Sequence, residues 1–138
     1  MTFITLDSIL SFLAHLGTGF GLILAGLIIF ALTTKYSERK LIKEGNMAVA
    51  LKLWGKALGL AIVIYTVWAN SVNLLDAFIW GLVGIAAQIL AFWTFEYVLT
   101  PGVNLEKEVE NGNMAIGFSL FAASLVVVGI IVAASLTY

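Results

Sequence analysis

Four long apolar runs, separated by segments that hold nearly all the charge, leave this chain few places to fold other than a bilayer. Ile9–Leu32 has His15 as its only titratable group. Met47–Leu75 is charge-free from Ala57 onward, and Ala77–Leu99 is interrupted only by Glu96. From Asn111 to Tyr138 no side chain carries a formal charge. A spanning helix needs about 20 predominantly apolar residues, so each run is long enough. Inside hydrocarbon a segment must satisfy its own backbone groups, which predicts helices. Barrel strands would be about 10 residues long and alternate in polarity, a pattern these runs lack. Composition agrees: 62% of residues are hydrophobic and 11% charged, against about 25% charged in soluble domains. The expected fold is an all-α membrane protein with four transmembrane helices, one membrane domain over 1–138. A net charge of −1 leaves no basic surface for nucleic acid. With no cysteine, the chain has no disulfide, no thiolate nucleophile and no cysteine metal site.

The start, MTFITLDSIL, lacks the basic n-region and the small-residue cleavage pattern of a secretory signal, so the first apolar run is expected to stay as a helix. The basic residues set the orientation. Lys35, Arg39, Lys40 and Lys43 fall between the first two runs, Lys52 and Lys56 open the second helix, and Lys107 lies between the last two. All 7 basic residues then share one side, while Asp7 and Asp76 mark the other. The positive-inside rule puts both longer loops in the cytoplasm and both termini outside.

The halves of the chain match at an offset of 67 residues. Gly45-Asn46-Met47-Ala48 returns as Gly112-Asn113-Met114-Ala115, and Gly17 aligns with Gly84. Each unit, about 9–75 and about 77–138, crosses the membrane twice and returns to its starting side. Two such units share one orientation, which predicts parallel repeats about an axis along the membrane normal.

These motifs carry a resemblance. A two-helix repeat with a charged loop and a Gly-Asn-x-Ala turn, together with Leu6-Asp7-Ser8, Leu41-Ile42-Lys43 and Gln88-Ile89-Leu90, is similar to the domain-of-unknown-function family 350. Its members are small uncharacterised proteins of the YjfL type. The resemblance implies four helices, the bacterial inner membrane and no established reaction. It also implies a neighbourhood of envelope-stress proteins and thus a cytoplasmic stress-protein partner.

Asn46 and Asn113 are suited to N-capping, each after a glycine (Gly45, Gly112) that allows a tight turn. Two capped helix starts would also bring positive dipole ends together at one cytoplasmic spot. With Lys52 and Lys56, that spot is a candidate for a lipid headgroup or a small anion. Lys52 and Lys56 share a helical face and are expected either to snorkel to the interface or to line a cytoplasmic vestibule. Among intramembrane polar residues, Glu96 lies near the cytoplasmic end of the third helix, in reach of headgroups or of Lys35, Arg39 or Lys52. Gln88 is placed to bond a neighbouring helix or its own symmetry mate. His15 is the chain's only histidine, too few ligands for a metal, and reads as a packed or proton-sensitive side chain. Gly17/Gly21, Gly55/Gly59 and Gly81/Gly84 are spaced to let helices approach closely, within the bundle or between subunits.

No catalytic triad, phosphate loop or paired intramembrane carboxylates are present, so neither an enzyme nor a cofactor is expected. The expectation is a structural or accessory protein of an envelope stress system that contacts membrane lipids and forms a homo-oligomer. The alternative is an oligomeric channel or carrier for ions or a small solute.

Overall fold

In the computed structural model, residues 4–32, 34, 36–98, 104–125 and 130–137 are described, the side chains at 95–98 and 106 excepted. Short polar caps set the helix boundaries. Thr5 Oγ1 accepts from the Ser8 amide (3.1 Å) at the start of α1 (Leu6–Leu32). Ser37 caps α2 (Glu38–Lys43) through the Lys40 amide. The central helix α3 (Met47–Asn70) begins at the Asn46 cap. Before α4 (Leu74–Val98), Asn73 Oδ1 accepts from the Asp76 amide (2.9 Å), and Asp76 Oδ2 accepts from the Val72 amide (3.1 Å). This reciprocal cap ends the second span at Asn70 and moves Leu74 and Leu75 into the third, where the apolar pattern alone had left them in the second.

Asn104 caps α5 (Leu105–Glu110) through the Lys107 amide, and Asn113 caps α6 (Met114–Ala122). The last element is α7 (Ile130–Ser135). Helices at Leu6–Leu32, Met47–Asn70, Leu74–Thr94 and Met114–Ser135 are long and apolar enough to cross a membrane. No strand occurs among the described residues. The chain is therefore an all-helical protein with four candidate membrane spans. The segments expected as loops before α3 and α6 each contain a short helix, because Ser37 and Asn104 supply caps that a charge-based reading overlooks.

The core gathers around α3, which packs on α6, α4, α1 and α7. Half of its apolar window is buried, against 11% for α1. Where α3 meets α6, the fit is glycine to backbone. A Cβ on Gly55 would lie 2.7 Å from Phe121 Cα, and one on Gly117 would lie 2.6 Å from Ala48 Cα. On Gly59 it would strike Gln88 Nε2 and stand 2.6 Å from Ser124 O. Real side chains do not approach this closely, so these three positions need glycine for space. At α4 the close neighbours are side chains instead: a Cβ on Gly81 would lie 2.7 Å from Leu22 Cδ1, which can swing aside, and one on Gly84 2.6 Å from Val63 Cγ1. Gly17 and Gly21 differ: nothing lies within 4 Å of either, so they form no seam within this chain.

Candidate functional site

The two Gly-Asn turns are built alike. Each short helix closes with the glycine amide on the residue three back (Gly45 to Ile42 O, Gly112 to Val109 O, both 3.0 Å). The asparagine amide then reaches five back (Asn46 to Leu41 O, 2.9 Å; Asn113 to Glu108 O, 3.0 Å). This needs a left-handed residue between, and φ is +90° at Gly45 and +84° at Gly112, a region glycine enters without steric cost. Asn46 Oδ1 accepts from the Val49 amide (3.0 Å). Asn113 Oδ1 accepts from the Ala115 and Ile116 amides (3.1 and 3.3 Å).

The other end of each amide separates the two turns. Asn46 Nδ2 crosses to the second half and donates to Val109 O (3.2 Å) and Glu110 O (3.0 Å), the last carbonyls of α5. Asn113 Nδ2 stays local, on Glu108 Oε2 (3.0 Å). Asn46 thus caps α3 at one end and binds the terminal carbonyls of α5 at the other. Asn46→Ala is expected to lower stability by about 2 kcal/mol, the upper part of the N-cap range with a cross-chain link lost. Asn113→Ala should cost about 1 kcal/mol. Thermal melts in detergent would check the order, and equal losses would contradict the assigned asymmetry.

One turn further along α3 the structure departs from the simplest expectation for Lys52 and Lys56. Neither snorkels along the outer surface; each is 2% exposed. Lys52 Nζ donates to Tyr36 Oη (3.0 Å) and stands 5.1 Å from that ring's centre. Lys56 Nζ lies between Phe30 of α1 (4.5 Å) and Phe92 of α4 (4.8 Å). Ring faces attract a cation, the more so when it is removed from water. The α-carbon of Lys56 is about 13 Å along α3 at about 1.5 Å per residue, while Phe30 is two residues from the end of α1. The ammonium is therefore carried back toward the α2 and α5 end through the interior of the bundle.

The polar interior continues past Lys56. Gln88 and Ser124 are each 1% exposed, and Gln88 Oε1 and Ser124 Oγ have no hydrogen-bond partner among the described residues. Both residues border Gly59. Glu38 of α2 is also buried, with Oε2 unpartnered. Lys52, Lys56, Gly59 and Gln88 are thus brought into one buried region, whereas the Gly-Asn turns flank it. Ser124, Tyr36 and Glu38 were not singled out by sequence. The signal for the lysines was available: Lys52, Gly55, Lys56 and Gly59 occupy one narrow arc of α3, so the glycine face that enters the bundle carries both lysines with it.

His15 sits apart, toward the opposite end of the molecule from α2 and α5. Its Nδ1 bonds Ser11 O (2.8 Å), and the ring meets Trp68 edge-on at 6.1 Å. The Glu96 and Glu106 side chains and Lys35 lie outside the described residues. Arg39, Lys40, Lys43, Lys107 and Glu110 are exposed at the α2 and α5 end.

The family described as Domain of Unknown Function (DUF350) matches residues 3–136, nearly the whole chain and both Gly-Asn turns. The chain belongs to the DUF350 family. This is the family that the repeated motifs resembled. The chain is also 36% identical over 99 residues to the UPF0719 transmembrane protein YshE of Bacillus subtilis (strain 168), a match covering 72% of this chain and 73% of that protein. No solved structure matches the chain. Family, relative and four apolar helices agree on a transmembrane protein of uncharacterised function.

Proposed function

We propose that this chain is a non-enzymatic accessory protein of the bacterial inner membrane, acting as a homo-oligomer and presenting α2 and α5 to a cytoplasmic stress-protein partner. Both termini lie outside, and the chain is two parallel repeats, about 9–75 and about 77–138. The matched capping of α2 with α5 and of α3 with α6, each 67 positions apart, supports the repeat. The observation that carries the functional reading is the Asn46 bridge to Val109 O and Glu110 O. It locks the basic and the acidic short helices into one preformed surface, and preformed surfaces bind without an ordering cost. Arg39→Glu, Lys40→Glu and Lys43→Glu together are expected to abolish co-purification with the cytoplasmic stress-protein partner while leaving the melting temperature unchanged. Co-purification that survives this charge reversal and also the removal of Asn46 would sink the reading.

The buried lysines favour a second reading, an oligomeric channel or carrier for ions. Ionisable groups inside a membrane mark ion pathways by default, and fixed positive charge selects anions. In liposomes, Lys52→Gln is then expected to reduce chloride flux and its preference over potassium. Flux equal to that of empty vesicles removes this reading.

A further inference from the structure

The His15 end of the molecule carries two adjoining hollows of different character. One, about 350 Å³, is lined by Phe12, His15, Leu16, Gly19, Phe20, Ile23 and Trp68, all apolar but for the ring nitrogens of His15 and Trp68. The other, about 420 Å³, holds the polar groups of Ser11, His15, Ser71 and Asn73. His15 and Trp68 border both. Each volume falls within the range of small-molecule sites. The apolar hollow runs along α1 toward the middle of the span, and its rim residues Phe12 and Phe20 are about 60% exposed on the face that meets lipid. The polar hollow lies at the end of the span, beside the turn that joins α3 to α4.

We propose that these hollows form one site for a membrane phospholipid, with an acyl chain in the apolar crevice and the headgroup at His15 and Asn73. The argument rests on the order of polarity. An amphiphile standing in a leaflet is apolar toward the bilayer centre and polar at the surface, and the two hollows follow the same sequence along the membrane normal. The polar atoms suit a headgroup. His15 Nδ1 donates to Ser11 O, since a carbonyl can only accept, which leaves Nε2 with no protein partner among the described residues. Asn73 uses Oδ1 on the Asp76 amide, leaving its Nδ2 to a phosphate oxygen. Trp68 walls both parts, an amphipathic ring at the level where tryptophan is usual in membranes. Gly19 makes the floor: a Cβ there would rest 3.8 Å from Trp68 and 3.9 Å from Ile64. That is ordinary contact, so a Cβ fits at this position, and the rest of a larger side chain competes for the crevice.

The test uses the full-length protein in nanodiscs of phosphatidylethanolamine and phosphatidylglycerol, with Trp54, Trp80 and Trp93 replaced by phenylalanine so that Trp68 reports alone. Phospholipids brominated on the acyl chain are expected to quench Trp68 strongly. Gly19→Leu should reduce that quenching several-fold, and Leu16→Phe, on the exposed rim, should do the same if the first variant does not fold. Native mass spectrometry from detergent should show one phospholipid retained by the parent, lost in Gly19→Leu and weakened in His15→Ala. Quenching equal in parent and filled variants would mean ordinary annular lipid and overturn the site. Retention indifferent to His15→Ala would overturn the headgroup assignment. Loss of a dimer rather than of a lipid in Gly19→Leu would overturn the proposal in favour of a second copy of the chain.

Discussion

Gly59→Val is expected to prevent the bundle from closing. Its Cβ would strike Gln88 Nε2 and stand 2.6 Å from the Ser124 carbonyl oxygen, and the second of these is backbone, which no rotamer change can clear. Overpacking a core costs about 1–3 kcal/mol where neighbours can shift, and more where they cannot. Gly55→Ala and Gly117→Ala meet α-carbons at 2.7 and 2.6 Å and should each lose about 3 kcal/mol on the same principle. Gly17→Ala and Gly21→Ala are the controls. With nothing within 4 Å, they exchange a weak helix former for the best one and should be neutral or gain up to about 1 kcal/mol. Melting in detergent and folded yield would read the contrast. If the two groups of glycines behaved alike, the α3–α6 seam would be wrongly placed.

Lys56→Glu is the second large effect. The substitution puts a carboxylate between the faces of Phe30 and Phe92, 4.5 and 4.8 Å from the ammonium they now surround. Ring faces are negative and repel an anion, and an uncompensated buried charge costs about 3–5 kcal/mol. Lys43→Glu, at an exposed position of α2, should change stability by less than about 0.5 kcal/mol. A Lys56→Glu protein as stable as the Lys43→Glu protein would show that residue 56 reaches water, returning it to the surface role first expected of it. A milder variant separates stability from function. Gln88→Leu removes an acceptor, Oε1, that has no partner; unmet polar groups of this kind cost about 1–3 kcal/mol. That variant should melt no lower than the parent, while any ion flux that depends on the polar interior falls.

The four spans were legible because bilayer thickness imposes a length that composition either meets or does not. The Gly-Asn turns were legible because capping is local chemistry: one glycine with positive φ and one side-chain oxygen, both within a few residues of the helix they start. The end of α3 was not. Leu74 and Leu75 still belong to its charge-free run, and the reciprocal cap of Asn73 with Asp76 moves them to α4. The depth of Lys52 and Lys56 stayed open between two alternatives for a different reason. A lysine near a helix start can reach the interface along the outside or through the bundle, and the choice lies with residues far away in sequence. Phe30, Tyr36 and Phe92 supply the surroundings, and the contacts of Gly55 with Phe121 of α6 and of Gly59 with Gln88 and Ser124 set which face of α3 turns inward. The Asn46 bridge to α5 is equally non-local, spanning 63 and 64 positions.

The α3–α6 contact also has a bearing on how the protein is made. Helix α3 leaves the ribosome well before the residues that complete its surroundings. Phe30 and Tyr36 precede it, but Phe92 arrives a full span later, and Phe121 and Ser124 later still. Until α4 follows, a helix with two lysines and a bare glycine ridge has only α1 and α2 to pack on. The fourth span thus completes the packing on α3, and until it arrives the glycine ridge lacks the cover of Phe121 and Ser124.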